Sequence, residues 1–179
     1  MSQPYDMVLK IIVVGDKGVG KTALINQFRG SFSDEMGIIR FGLDFHVKSI
    51  SVDTNTGPKQ IKLQIWEFSE IVNQEPNLQS TFYRGTNGAI ILFDLTNSSS
   101  FNHLPSWIEE INEKVGTNIP LLLVGTKSDL IGNRAVSLGD INRYSQNQNL
   151  HYVETSAKTN INIGECFDIL ARLMIEKYS

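Results

Sequence analysis

The stretch "IIVVGDKGVGKTALI", residues 11–25, decides how the rest of the sequence is read. Its first four residues, Ile11 to Val14, are all β-branched and apolar, the mark of a strand buried on both faces. A glycine-rich loop follows, and after it a helix-compatible run from Ala23 to Phe28. Gly15, Gly20, Lys21 and Thr22 meet the pattern G-x-x-x-x-G-K-[ST], in the strand–loop–helix context that the pattern requires. The glycines let the backbone turn so that the N–H groups of Asp16, Lys17, Gly18, Val19 and Gly20 face inward as an anion nest. The helix that begins near Thr22 and Ala23 sets its positive end against the same anion. Lys21 is expected to reach the β- and γ-phosphates, and Thr22 to offer its hydroxyl to Mg²⁺, a hard cation that takes oxygen ligands. An ordinary strand-to-helix turn would not need all four fixed positions. The loop therefore holds a nucleoside di- or triphosphate.

Bulk composition agrees. With 179 residues, 41% hydrophobic and 20% charged, the chain is expected to form one domain over residues 1–179 with a substantial core. A net charge of −3 gives no electrostatic case for nucleic acid or an anionic membrane. The single cysteine, Cys166, has no internal partner, and it shares an apolar helical stripe with Leu170 and Leu173, so it reads as a core residue. No apolar run has transmembrane length, and "MSQPYDMVLK" lacks the regions of a signal peptide, which points to a cytoplasmic protein.

Strand-like and helical runs alternate along the chain. After the first strand and helix, period-two runs at Phe45–Val52 and Ile61–Trp66 flank "DTNTGPK", a hairpin break. Then come "GAIILFDL", "IPLLLVGT" and "LHYVETS", each followed by a helical pattern: Phe101–Val115, Leu138–Gln146 and Ile163–Glu176. The pattern predicts an α/β fold, a six-stranded and mostly parallel sheet with one antiparallel edge hairpin and flanking helices. Ligands of such sheets sit at the carboxyl ends of the strands. The segments "SDEMGIIR" and "EFSEIVNQEPN" have no clear assignment.

"GTKSD" (Gly125–Asp129) and "ETSAK" (Glu154–Lys158) leave the ends of consecutive buried strands. With "GDKGVGKT", "FGLDF" and "YRGTNGAIILFDLTNSSSF", they make the chain resemble a Ras-superfamily small GTPase, most like the Rab family, from end to end. The resemblance implies a P-loop NTPase fold, GTP/GDP and Mg²⁺ as ligands, and a monomeric switch in signalling or vesicle traffic. By it, Asp129 accepts from the guanine N1–H and exocyclic amine, Lys127 packs its stem over the base, and the Ala157 N–H meets O6. Ser156 and Lys158 belong to the same base loop. Thr126 stands where the family usually has Asn, as the Rho branch does. An ATP-using P-loop kinase is disfavoured by the same two motifs and by the lack of an arginine-rich lid.

The hydrolytic residues depart from the family. At the switch I threonine, which meets Mg²⁺ and the attacking water, stands Arg40, whose side chain neither accepts a hydrogen bond nor ligates a metal. "WEFSEIV" (Trp66–Val72) replaces W-D-T-A-G-Q-E. Glu67 is expected to face the Mg²⁺ water shell, Glu70 replaces the glycine whose N–H meets the γ-phosphate, and Ile71 replaces the water-orienting glutamine. One extra residue between Trp66 and Arg84 makes Gln74 a substitute, and Arg40 admits a second reading as an arginine finger in cis. Lys17, where Rab proteins carry Ser and Ras proteins Gly, leans over the β–γ bridge, blocks an incoming finger, or is simply solvated.

Three aromatics, Phe45, Trp66 and Phe82, occupy the places of the Rab effector surface; they either form such a surface or pack the hairpin against the second switch. Effectors, an exchange factor and an activating protein are the implied partners. "IEKYS" contains no C-terminal cysteine pair or C-a-a-X, so membrane association would need a missing tail or a partner. Two function classes stay open: a slow GTPase switch, and a hydrolysis-deficient GTP/GDP-binding interaction module.

Overall fold

A computed structural model describes residues 5–30, 35–38 and 43–179. Its seven strands are β1 (Met7–Val14), β2 (Glu35–Ile38), β3 (Asp44–Thr54), β4 (Gly57–Glu67), β5 (Gly88–Asp94), β6 (Leu121–Thr126) and β7 (His151–Glu154). They form one sheet in the order β2-β3-β4-β1-β5-β6-β7. β1 pairs in parallel with both β4 and β5, and β5-β6-β7 continue in parallel, whereas β2-β3 and β3-β4 are antiparallel. All six expected strands form. The seventh, β2, lies in the unassigned "SDEMGIIR" and adds a short edge that four residues of sequence could not announce.

β3 and β4 run beyond the expected bounds because their ladder closes on the turn itself, where Thr54 pairs with Gly57 and its hydroxyl donates to the Gly57 carbonyl at 2.6 Å. β1 is central, and its period-two alternation splits the core between the two faces of the sheet. Ile11 and Val13 join Ile61, Leu63 and Ile65 of β4 beneath helices α1 (Lys21–Arg29) and α7 (Ile163–Tyr178). Ile12 and Val14 face the other way, with Ile91 and Phe93 of β5. Cys166 is fully buried on the first face, as expected, and burial pushes its thiol pKa up.

The expected 101–115 helix is two helices, α4 (Ser98–Asn102) and α5 (Leu104–Lys114). Pro105 in the first turn of α5 has no N–H to continue the preceding helix, and its fixed φ suits a new start. The other unassigned segment folds as α2 (Ile71–Gln74) and α3 (Pro76–Tyr83), parted by an extended Glu75 before Pro76. α6 spans Leu138–Gln148, with Ser137 capping the Asp140 N–H. Among the described residues no helix is long and apolar enough to cross a membrane.

Candidate phosphate and base site

The loop after β1 lies where the chain's connections diverge from the sheet centre, at the carboxyl ends of the parallel strands. Gly15 is required by space: a Cβ there would lie 2.5 Å from the Leu92 carbonyl oxygen, with φ at +146°. Gly20 ends the loop in the left-handed region, φ +103°, and gives the first turn of α1 no side-chain cap. The helix therefore keeps unpaired amides at the cleft, as an anion site needs. Lys21 folds back into the loop, its Nζ donating to the carbonyls of Gly15 (2.7 Å) and Asp16 (2.9 Å). Burial lowers its pKa, opposed in turn by the carboxylates of Glu67, Asp16 and Glu70.

Thr22 and Glu67 meet, the Thr22 hydroxyl donating to Glu67 Oε1. Glu67 ends β4, which lies beside β1, so the parallel register delivers its carboxylate to the start of α1. A hydroxyl and a carboxylate in contact form a hard oxygen pair suited to Mg²⁺. Ser69, on the same wall, has a buried Oγ with no hydrogen-bond partner. These donors, with the capless helix, fit a phosphate group bound with a divalent cation.

The second wall comes from β4 and α2. Glu70 and Asn73 face the cleft because they are three apart on one helical turn, the Asn73 N–H donating to the Glu70 carbonyl. Gln74, one residue on, ends the helix outside the cleft lining, so Asn73 and not Gln74 is the amide at this wall. Lys17 and Glu70 approach to 3.8 Å from opposite sides. Arg40 lies outside the described residues.

The base motifs are tied to the loop by direct bonds. The Thr126 hydroxyl, 5% exposed, donates to the Val19 carbonyl at 2.5 Å and lies 3.1 Å from that of Phe93. Lys127, at φ +62°, reaches the Gly18 carbonyl (3.0 Å) and the Asp94 carboxylate (2.7 Å). Burial of Asp94 favours its neutral form, but bonds from Lys127 and Thr96 outweigh this and hold its pKa below the usual value. The Ser128 N–H donates to Thr155, and Ser156 Oγ to Asp129 Oδ1 at 2.7 Å, which join the two base loops. Ala157 packs half-buried against the core and Lys158 is exposed.

Three contributors were not picked out from the sequence. His103 and Trp107, one turn apart across the start of α5, both contact the Asp16 carboxylate: His103 Nδ1 at 2.5 Å and Trp107 Nε1 donating at 2.9 Å. Trp107 also meets Phe68 edge-on, centroids 4.8 Å apart. Asp94 is the third. Only the i, i+4 spacing of His103 and Trp107 hinted that they share a face.

The order of these parts along the chain is that of one family, and a family model described as "Ras family" matches residues 10–176. The chain belongs to the Ras family. Within the Ras family its relatives include Rab proteins: "Ras-related protein Rab-1" of Theileria parva, 36% identical over 176 residues, covering 97% of this chain and 77% of that protein. "Ras-related protein RABD2a" of Arabidopsis thaliana is 35% identical over 179 residues, 99% and 85% of the two chains. "GTP-binding protein YPTM1" of Zea mays is 36% identical over 169 residues, 93% and 78%. The resemblance to Rab-like members of the Ras family and the P-loop fold expected from the sequence therefore hold.

The aromatic trio does not come together as an exposed cluster. Phe82 is fully buried, edge-on to Phe68 and Tyr83 in the second core face. Phe45 and Trp66 are half-buried and stacked at 5.4 Å, being directly opposite on β3 and β4. Lys10 covers Trp66 from the other side, Nζ 4.0 Å from the ring centroid. Burial lowers the Lys10 pKa to about 8. Burial won for Phe82 because α3 lays its apolar face on the sheet and Phe lacks a hydroxyl to keep it at the surface.

Proposed function

We propose that the chain is a Rab-like guanine-nucleotide-binding switch that hydrolyses GTP to GDP slowly, on the order of 10⁻⁴ s⁻¹ or below, the range of an unassisted small GTPase. It acts as a single G domain over residues 1–179, in signalling or vesicle traffic. The observation that carries the reading is the bonding of Thr126 and Lys127 to the loop that holds Lys21 and Thr22, since it makes one rigid cleft of a phosphate half and a base half. The amides of residues 16–23 and Lys21 bind phosphate oxygens; Asp129, held by Ser156, reads two donors that guanine has and adenine lacks. Mg²⁺, when bound, neutralises phosphate charge, with Thr22 as ligand and Glu67 facing its water shell.

Slow hydrolysis follows from three side chains. Arg40 brings no acceptor, Ile71 has no polar atom to orient water, and Glu70 adds negative charge to the phosphate wall. The alternative, a hydrolysis-deficient GTP/GDP-binding interaction module, is favoured by one observation: Ile71, beside Glu70 at the start of α2, is partly exposed yet apolar. Effectors, an exchange factor and an activating protein would approach through the switch side, where Phe45 and Trp66 stack. The protein acts as a monomer in the cytoplasm, with any membrane association peripheral.

Single-turnover GTP hydrolysis with Mg²⁺, followed to GDP by chromatography, separates the two readings. The combined variant Arg40→Thr, Glu67→Asp, Glu70→Gly and Ile71→Gln should hydrolyse faster than the parent. A parent that turns over unassisted well above about 10⁻⁴ s⁻¹ would overturn the assignment of the second switch.

A further inference from the structure

The phosphate cleft carries an unusual balance of charge. Three carboxylates, Asp16, Glu67 and Glu70, act on Lys21, and Lys17 brings a second ammonium to the cleft wall. Asp16 is turned away toward His103 and Trp107, and Glu67 toward Thr22. Glu70 remains, and its carboxylate lies 3.8 Å from the Lys17 ammonium, which comes from the opposite wall. Both side chains are well exposed, at 82% and 68%, so the contact contributes little to folding. Its weight lies in its place. The Lys17 backbone belongs to the phosphate nest, and Glu70 immediately precedes α2, so the pair ties the loop to the second wall across the mouth of the cleft.

We propose that Lys17 and Glu70 form a charge latch that sets the preference between guanosine di- and triphosphate. This rests on the nucleotide reading given above. With a diphosphate bound, the ammonium stays with Glu70. The additional phosphate of a triphosphate competes with the Glu70 carboxylate for the same ammonium, because two anions cannot share it without repelling each other. The triphosphate thus gains Lys17, breaks the pair, and leaves Glu70 uncompensated beside it. Switching in this chain then operates by exchange of anions on Lys17. The short α2 helix that Glu70 opens feels the exchange first.

The test is a double-mutant cycle read as the ratio of affinities for a non-hydrolysable GTP analogue and GDP, with Mg²⁺ present. The variants are Lys17→Ala, Glu70→Ala and both together; each removes an exposed side chain, and thermal melting checks that it is folded. The latch ranks the triphosphate preference as Glu70→Ala highest, the double variant between, and Lys17→Ala lowest, with neighbouring ranks about three- to tenfold apart. The parent should prefer triphosphate less than the two single effects combined would give, since it alone has a pair to break. Raising the salt concentration should compress the whole ranking. Equal ratios in Lys17→Ala and Glu70→Ala, with both nucleotides still bound, would overturn the latch and leave the nucleotide reading standing. A folded parent that binds neither nucleotide would overturn both.

Discussion

Thr126 is the point at which the base half and the phosphate half of the cleft are joined, and Thr126→Val tests that joint with almost no change of shape. Valine keeps the branched volume and replaces the hydroxyl by a methyl group. The Val19 carbonyl then loses a 2.5 Å bond in a place where both partners are nearly inaccessible, Thr126 at 5% and Val19 at 1% exposure. Leaving a buried carbonyl unpaired costs about 1–3 kcal/mol. In a domain of this size that corresponds to a fall in Tm of roughly 2–12 °C. The bond to the Val19 carbonyl also holds the end of the nest in place, so without it the loop should loosen its hold on phosphate. Release of a fluorescent GDP analogue, followed by stopped flow after mixing with excess unlabelled GDP, should accelerate about 5–150-fold if the same energy is lost from the bound state. Thr126→Ser is the control: it loses the methyl group but keeps the donor, so it should release nucleotide much as the parent does. Equal release rates for the Val and Ser variants would refute the reasoning, because the hydroxyl would then not be what anchors the loop.

Lys21→Ala and Thr22→Ala should each weaken GDP and GTP binding by roughly 1.5–3 kcal/mol, through lost charge-assisted phosphate contacts and a lost Mg²⁺ ligand respectively; titration calorimetry at fixed Mg²⁺ measures both, and unchanged affinity would show that the loop is decorative. Asp129→Asn should shift preference from guanine toward xanthine nucleotides in a competition assay, since the amide donates where the carboxylate accepted; an untouched base preference would remove Asp129 as the reader. Asp94, with a folded-state pKa below the ordinary value, contributes stability that is present above that ordinary value of 3.8 and is lost as pH falls through the folded-state pKa. Denaturant titrations from neutral pH to below 3.8 should therefore show a smaller acid loss for Asp94→Asn than for the parent, together with lower stability at pH 7.

The family and the strand–loop–helix around Gly15–Thr22 were legible in the sequence because their requirements are local. A phosphate nest needs glycines at fixed steps, with a lysine and a hydroxyl directly after them, and a buried parallel strand needs a run such as Ile11–Val14. Such requirements fall within a few consecutive residues, where backbone conformation and side-chain type are enough. Two period-two runs and four nearly continuous apolar runs likewise predicted all six main strands. What depended on distant neighbours was not legible. Phe82 could be read as a surface aromatic or as packing against the second switch, and only the docking of α3 on the sheet showed that it is core. By sequence Gln74 is the substitute amide, but one residue is about 100° on a helix, and it is Asn73 that lines the cleft. The clamp of His103 and Trp107 on Asp16, the support of Lys127 by Asp94, and the meeting of Lys17 with Glu70 all join residues far apart in the chain. No spacing rule links such residues. Their contact is decided by strand order, which brings the ends of β1, β4, β5 and β6 to one edge of the sheet and makes neighbours of the loops that leave them.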